Sequence, residues 1–145
     1  MEDDVEKHRT IIHTEFSKQA AKYGEKGLTV SSDEFLHWMI GLLPLELDYE
    51  VLDVAAGTGH LSRALSPFVR KVCAIDITVE MLSRARESDT ERKFSNICYE
   101  FGDASKLRFD DSCFDLVACR LAFHHFLKPI IQLSEMKRVC RQNRY

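Results

Sequence analysis

Paired cysteines, glycine and proline punctuation, and long apolar runs are all scarce in this sequence. Its five cysteines, Cys73, Cys98, Cys113, Cys119 and Cys140, form no CxxC pair. Most of them lie inside apolar runs, where a thiol packs as a small hydrophobe. Six glycines and three prolines leave no low-complexity segment and no linker. No apolar run approaches the roughly 18 residues that a membrane span needs. The opening residues MEDDVEKHR are acidic where a secretory signal is basic. A net charge of -3 gives no global footprint for nucleic acid. The basic residues Lys137, Arg138, Arg141 and Arg144 read as the solvated end of a helix rather than a binding patch. Disulfide-stapled, membrane-spanning and nucleic-acid-binding classes are thereby disfavoured. Reduced thiols in a soluble, cytoplasmic protein are expected.

What is present is an ordinary globular composition, 45% hydrophobic and 30% charged over 145 residues. That length supports one domain with its own core. Residues 4–23 carry a helical stripe of Ile12, Phe16, Ala20 and Tyr23, broken by Gly24 and Gly27. SSDEFLHWMIGLL follows as a second helix, with Ser31 and Glu34 spaced as a capping box and Leu36, Met39, Ile40 and Leu43 inward. Beyond this helical cap, residues 1–48, the pattern alternates strand and helix through 49–145.

The predicted strands are 51–55, 71–75, 96–101 and 114–120. A short helix spans 59–66 and stops at Pro67. Thr78 caps another that runs to about residue 87 with Met81, Leu82 and Ala85 inward, and ESDTERK then reads as a loop. A last helix follows Pro129, with Leu133, Met136 and Cys140 inward. Short apolar strands separated by helices predict an α/β domain, a Rossmann-like doubly wound parallel sheet covered on both faces.

The chemistry gathers at the strand ends, where such sheets collect ligands. VLDVAAGTGHLSRAL, residues 51–65, runs a strand straight into a small-residue turn. Small residues let backbone N–H groups face a bound group. A phosphate loop needs Gly-Lys-Ser/Thr, but Gly59 is followed by His60 and Leu61. A dinucleotide fingerprint needs a third glycine, and Ser62 stands there. A tight turn without a ligand is the remaining alternative.

The pattern D-x-A-x-G-x-G, Asp53 through Gly59, resembles the class I S-adenosylmethionine (SAM)-dependent methyltransferases. It is similar in particular to the small-molecule group that includes the ubiquinone and menaquinone biosynthesis methyltransferases. The resemblance runs from about residue 10 onward. It implies that Ala55, Gly57 and Gly59 cradle SAM, the product being S-adenosylhomocysteine. It also implies that Asp76, 17 residues after Gly59, accepts both ribose hydroxyls, a task for two acceptor oxygens. Ile77 and Met81 would flank the adenine, with Met81 equally at home in the core. Asp103 would accept from the adenine amino group and the Ala104 N–H would meet the ring, although Asp103 suits a plain turn as well. Arg120 would lie along the methionine moiety, and Tyr23 would close the site from the N-terminal helix.

No catalytic residue is assigned. His124 and His125 are adjacent and point in different directions, and no ligand set for a metal stands beside them. One is expected to pack and the other to line the pocket. RVCRQNRY replaces the glycine turn and fifth strand of the resembled family, so the sheet is expected to stop after four of its seven strands. An exposed fourth strand would favour pairing with another copy. The implied function is methyl transfer from SAM to a small-molecule acceptor. The competing reading is a SAM- or nucleoside-binding module without catalysis, or a short form acting through a partner.

Overall fold

The computed structural model describes residues 33–143 together with Lys7, Thr10 and Thr14. The stripe over 4–23, Tyr23 and the Ser31 cap lie outside the described residues.

The elements are α1 (Asp33–Gly41), β1 (Glu50–Val54), α2 (His60–Leu65), β2 (Lys71–Asp76), α3 (Val79–Arg92), β3 (Ile97–Phe101), β4 (Leu116–Ala118) and α4 (Pro129–Val139). Single 3-10 turns occupy Ser66–Phe68 and Phe123–His125. The four strands pair in parallel in the order β3-β2-β1-β4. Among the described residues, no helix is long and apolar enough to cross a membrane.

Strand alternation divides the core between the two faces of the sheet. Val51, Val72 and Leu116 pack with Leu36 and Ile40 of α1 and Leu61 and Leu65 of α2. Leu52, Val54, Cys73 and Ile75 pack with Leu107, Phe114, Met136 and Val139 on the opposite face. Each such fully buried Leu or Val contributes about 1.5–3 kcal/mol, so both layers are needed to hold the sheet.

Four departures from expectation fall on three elements. First, α3 runs on to Arg92, through the polar run read as a loop. Asp89 in that run is buried and pairs with Arg63 Nη1 of α2 at 3.2 Å, which gives the extra turns a tertiary anchor. Second, Thr78 occupies the N-cap of α3, but its side chain makes no capping bond. Third, β4 covers only 116–118 instead of 114–120. Phe114 bridges to Cys140 in parallel, and Asp115 is turned to Glu50 and Arg141. At the other end, Leu121 takes φ 57 and the chain leaves the sheet.

Fourth, α4 is rotated relative to expectation. Its buried stripe is Gln132, Met136 and Val139, spaced by four and three residues, while Leu133 is exposed. The basic end of this helix is more than a solvated face. Arg138 donates to the Phe109 and Leu107 carbonyls at 2.8 and 3.0 Å, and Arg141 meets Asp115 at 2.6 Å.

Candidate functional site

The strand order reverses at β1, which has β2 on one side and β4 on the other. Above the carboxyl ends of these strands lies a cavity of about 740 Å³, as expected for a doubly wound sheet at its switch point. It falls within the roughly 300–1,000 Å³ usual for small-molecule sites.

The turn after β1 forms its floor. Ala55, Gly57 and Gly59 all take the left-handed conformation, with φ 56, 57 and 84. For Ala55 this is strained, by about 1–2 kcal/mol, a cost that concentrates at functional sites. A Cβ added to Gly57 would meet nothing within 4 Å, so this backbone faces open space. Gly59 differs: a Cβ there would collide with the Tyr99 hydroxyl. It is buried at the N-cap of α2 and is not among the residues that line the cavity, so in this structure it is a packing position.

Asp76 closes β2 and ties the site together. Its Oδ2 accepts the Gly57 N–H and its Oδ1 the Thr78 N–H, each at 2.8 Å. Burial pushes its carboxyl above the usual range, and these two N–H bonds oppose the shift. Both bonds fix the orientation of the carboxylate, which lines the cavity.

Ala55, Gly57, Asp76, Ile77, Met81, Asp103, Ala104 and Arg120 all line this cavity. Met81 is also fully buried, so it packs and lines at once. Asp103 Oδ1 accepts from both the N–H and the hydroxyl of Ser105, at 2.8 and 2.7 Å, and so makes the turn as well. His125 lines the cavity and is half-buried, whereas His124 is exposed, its ring centroid 3.9 Å away and its plane tilted by 44°.

Several wall residues escaped the sequence reading. Asp53 is 1% exposed and accepts from the Ser62 hydroxyl at 2.6 Å. Burial pushes its carboxyl up to about 7, with Ser62 and Arg120 opposing and Asp76 adding to the rise. His60 also lines the wall, and burial followed by the nearby Arg63 lowers its pKa. Thr58 Oγ1 and Gln132 Oε1 are buried without a hydrogen-bond partner, and both residues line the cavity. Asp53 stood inside the quoted motif and was open to notice. Gln132 gave no signal, because its inward position depends on the rotation of α4.

A parallel sheet with a cavity at its switch point defines a doubly wound α/β domain of the ligand-binding type. Comparison with known proteins gives the family. Residues 51–143 match the methyltransferase-domain family Methyltransf_25, and the chain belongs to it.

The chain is 34% identical over 130 residues to the uncharacterized methyltransferase YcgJ of Bacillus subtilis (strain 168), covering 90% of this chain and 51% of that protein. The crystal structure of YcgJ aligns with a TM-score of 0.75, over 78% of this chain and 48% of that one. A demethylmenaquinone methyltransferase of Staphylococcus haemolyticus (strain JCSC1435) is 27% identical over 136 residues, 90% of this chain and 56% of the relative. A SAM-dependent methyltransferase from Aquifex aeolicus aligns with a TM-score of 0.75 at 25% identity, over 86% of this chain and 67% of that one. The chain thus spans about half the length of the curated relatives it matches. The Rossmann-like fold and the methyltransferase family read from Asp53–Gly59 both hold.

Proposed function

We propose that the cavity above β1 and β2 binds SAM and that the protein transfers its methyl group to a small-molecule acceptor. The observation that carries this reading is the Asp76 carboxylate, buried at the end of β2 and fixed by the Gly57 and Thr78 N–H groups. A vicinal diol needs two acceptor oxygens held in one orientation, and this geometry supplies them. The open space at Gly57 and the partnerless Thr58 hydroxyl suit a polar ligand lying against the turn. In this reading Asp103 and Ala104, which line the cavity together with Met81, meet the adenine, and Arg120 meets the methionine moiety.

Bound SAM supplies an electrophilic methyl on a sulfonium. The residues of the chain then have to align the acceptor in line with it and exclude water. No protein nucleophile is required for such a displacement, and an acceptor with an acidic proton needs little help from a base. The free cysteines fit a cytoplasmic location. The β4 edge, partnered along 116–118 only by β1 among the described residues, is the place for self-association.

Calorimetric titration tests the reading. SAM and S-adenosylhomocysteine should bind and NAD should not, and Asp76→Ala should weaken both adenosyl ligands. Equal binding by the Asp76→Ala variant, or preference for NAD, would contradict it.

A further inference from the structure

The cavity is also lined by Ser105, Lys106 and Arg108 and by residues of the segment from Leu121 to Gln132. This wall differs in chemistry from the turn after β1. Leu121, Leu127 and Ile131 present exposed apolar surface to it. Lys106, Arg108 and Lys128 bring three cations to the same wall, and none of them pairs with a carboxylate among the described residues. Three of the acids near them in the chain are engaged elsewhere, while Asp110 lines a neighbouring cavity together with Arg108. Asp103 holds Ser105, Asp111 pairs with Arg138, and Glu135 accepts the Leu107 N–H and pairs with Arg138.

That clasp also fixes the geometry. Glu135 and Arg138 bind the backbone of Leu107 and Phe109, which holds the cationic segment against α4 beside Lys128. Gln132 lies one turn on from Lys128, its N–H directed to the Lys128 carbonyl at 3.3 Å. It is 7% exposed, and its Oε1 is buried without a partner. A buried amide left unpaired costs about 1–3 kcal/mol. A leucine follows at 133 and faces outward, so an apolar residue could have filled the inward stripe had α4 been set one residue differently.

From this arrangement we infer the class of methyl acceptor. It is an amphipathic acid: a carboxylate or phosphate held by Lys106, Arg108 and Lys128, an apolar body on Leu127 and Ile131, and a hydroxyl that donates to Gln132. The inference rests on the SAM reading of the same cavity. An unbalanced cationic wall disfavours a cationic amine, more so beside a bound sulfonium, and selects an anion by charge complementarity.

The test titrates the full chain, saturated with S-adenosylhomocysteine, with four defined probes: 3-hydroxyoctanoate, its methyl ester, octanoate and octyl phosphate. The acid should bind about tenfold or more tightly than the ester. That advantage should shrink on raising NaCl from about 50 to about 500 mM, and should vanish when Lys106, Arg108 and Lys128 are all changed to Ala. Tighter binding of octyl phosphate than of octanoate assigns the anion as phosphate, and the reverse as carboxylate. The length-conserving Gln132→Met should remove the preference for 3-hydroxyoctanoate over octanoate while leaving octanoate itself unchanged. Equal binding of acid and ester, no binding of any anion, or a hydroxyl preference that survives Gln132→Met would overturn the proposal. S-adenosylhomocysteine binding in the same cell separates the two readings: its absence defeats the SAM assignment, its presence without acid binding only the acceptor class.

Discussion

The Gly57 N–H donates to Asp76 Oδ2 across 2.8 Å, joining the turn after β1 to the end of β2. This bond links two neighbouring strand ends, beside the backbone bond from the Ala56 N–H to the Ile75 carbonyl at 2.9 Å. Asp76→Ala leaves the Gly57 and Thr78 N–H groups to water and should cost about 1–3 kcal/mol of stability. Its effect on adenosyl-ligand affinity should be larger, about tenfold or more, because both acceptor oxygens are lost. Asp76→Asn, with one acceptor oxygen, should fall between. Urea unfolding and ligand titration on the same samples check the order.

Two glycines of one turn should behave differently when replaced. Gly59→Ala adds a collision with Tyr99 to a left-handed backbone, and should lose about 2–4 kcal/mol. Gly57→Ala meets no neighbour and should lose about 1 kcal/mol, while its methyl intrudes on the ligand. The expected pattern is a stability defect for one and a binding defect for the other, read by thermal unfolding with and without S-adenosylhomocysteine.

The Arg63–Asp89 pair has side chains only 7% and 10% exposed. Removing one partner of a buried pair leaves an uncompensated charge, so Asp89→Ala should destabilise by about 3–5 kcal/mol. A double variant, Arg63→Met with Asp89→Leu, should recover most of that loss. Denaturant midpoints measure both, and a cost for Asp89→Ala near zero would show that the pair does not anchor α3.

That pair also shows why part of the fold was hidden. The strands are legible because each is a short apolar run, and the Asp53–Gly59 turn because its small residues sit at fixed offsets. Asp89 and Arg63 are 26 residues apart, so the polar run around Asp89 reads as a loop until the sheet brings them together. The inward turn of Gln132 in place of Leu133 is hidden for a related reason. Local periodicity admits two phases for α4, and the bonds of Arg138 and Glu135 to residues 107–109 accompany the one adopted. β4 is cut short by pairings of Phe114 and Asp115 that no run of apolar letters records.

Asp53 makes stability depend on pH. Its folded pKa of about 7 lies above an unfolded value of about 3.9, so the native state holds the proton more tightly. The contribution is fully present below about pH 4 and is lost progressively as pH rises to about 7. Asp76, also raised by burial, acts in the same direction. Asp53→Asn keeps an acceptor for the Ser62 hydroxyl and removes the titration. It should flatten the pH profile and gain about 1–3 kcal/mol over the parent at pH 8, measured by urea unfolding at pH 5.5 and 8. A parent whose stability rises over that interval, with no difference in the variant, would count against the buried carboxyl.

The most direct test of the central claim is a crystal structure of the protein with S-adenosylhomocysteine. The account predicts the ribose hydroxyls within hydrogen-bond distance of the Asp76 carboxylate, the adenine beside Met81 and Asp103, and the ligand backbone over Gly57. A ligand lying elsewhere, or one over Gly57 with its ribose turned away from Asp76, would contradict it.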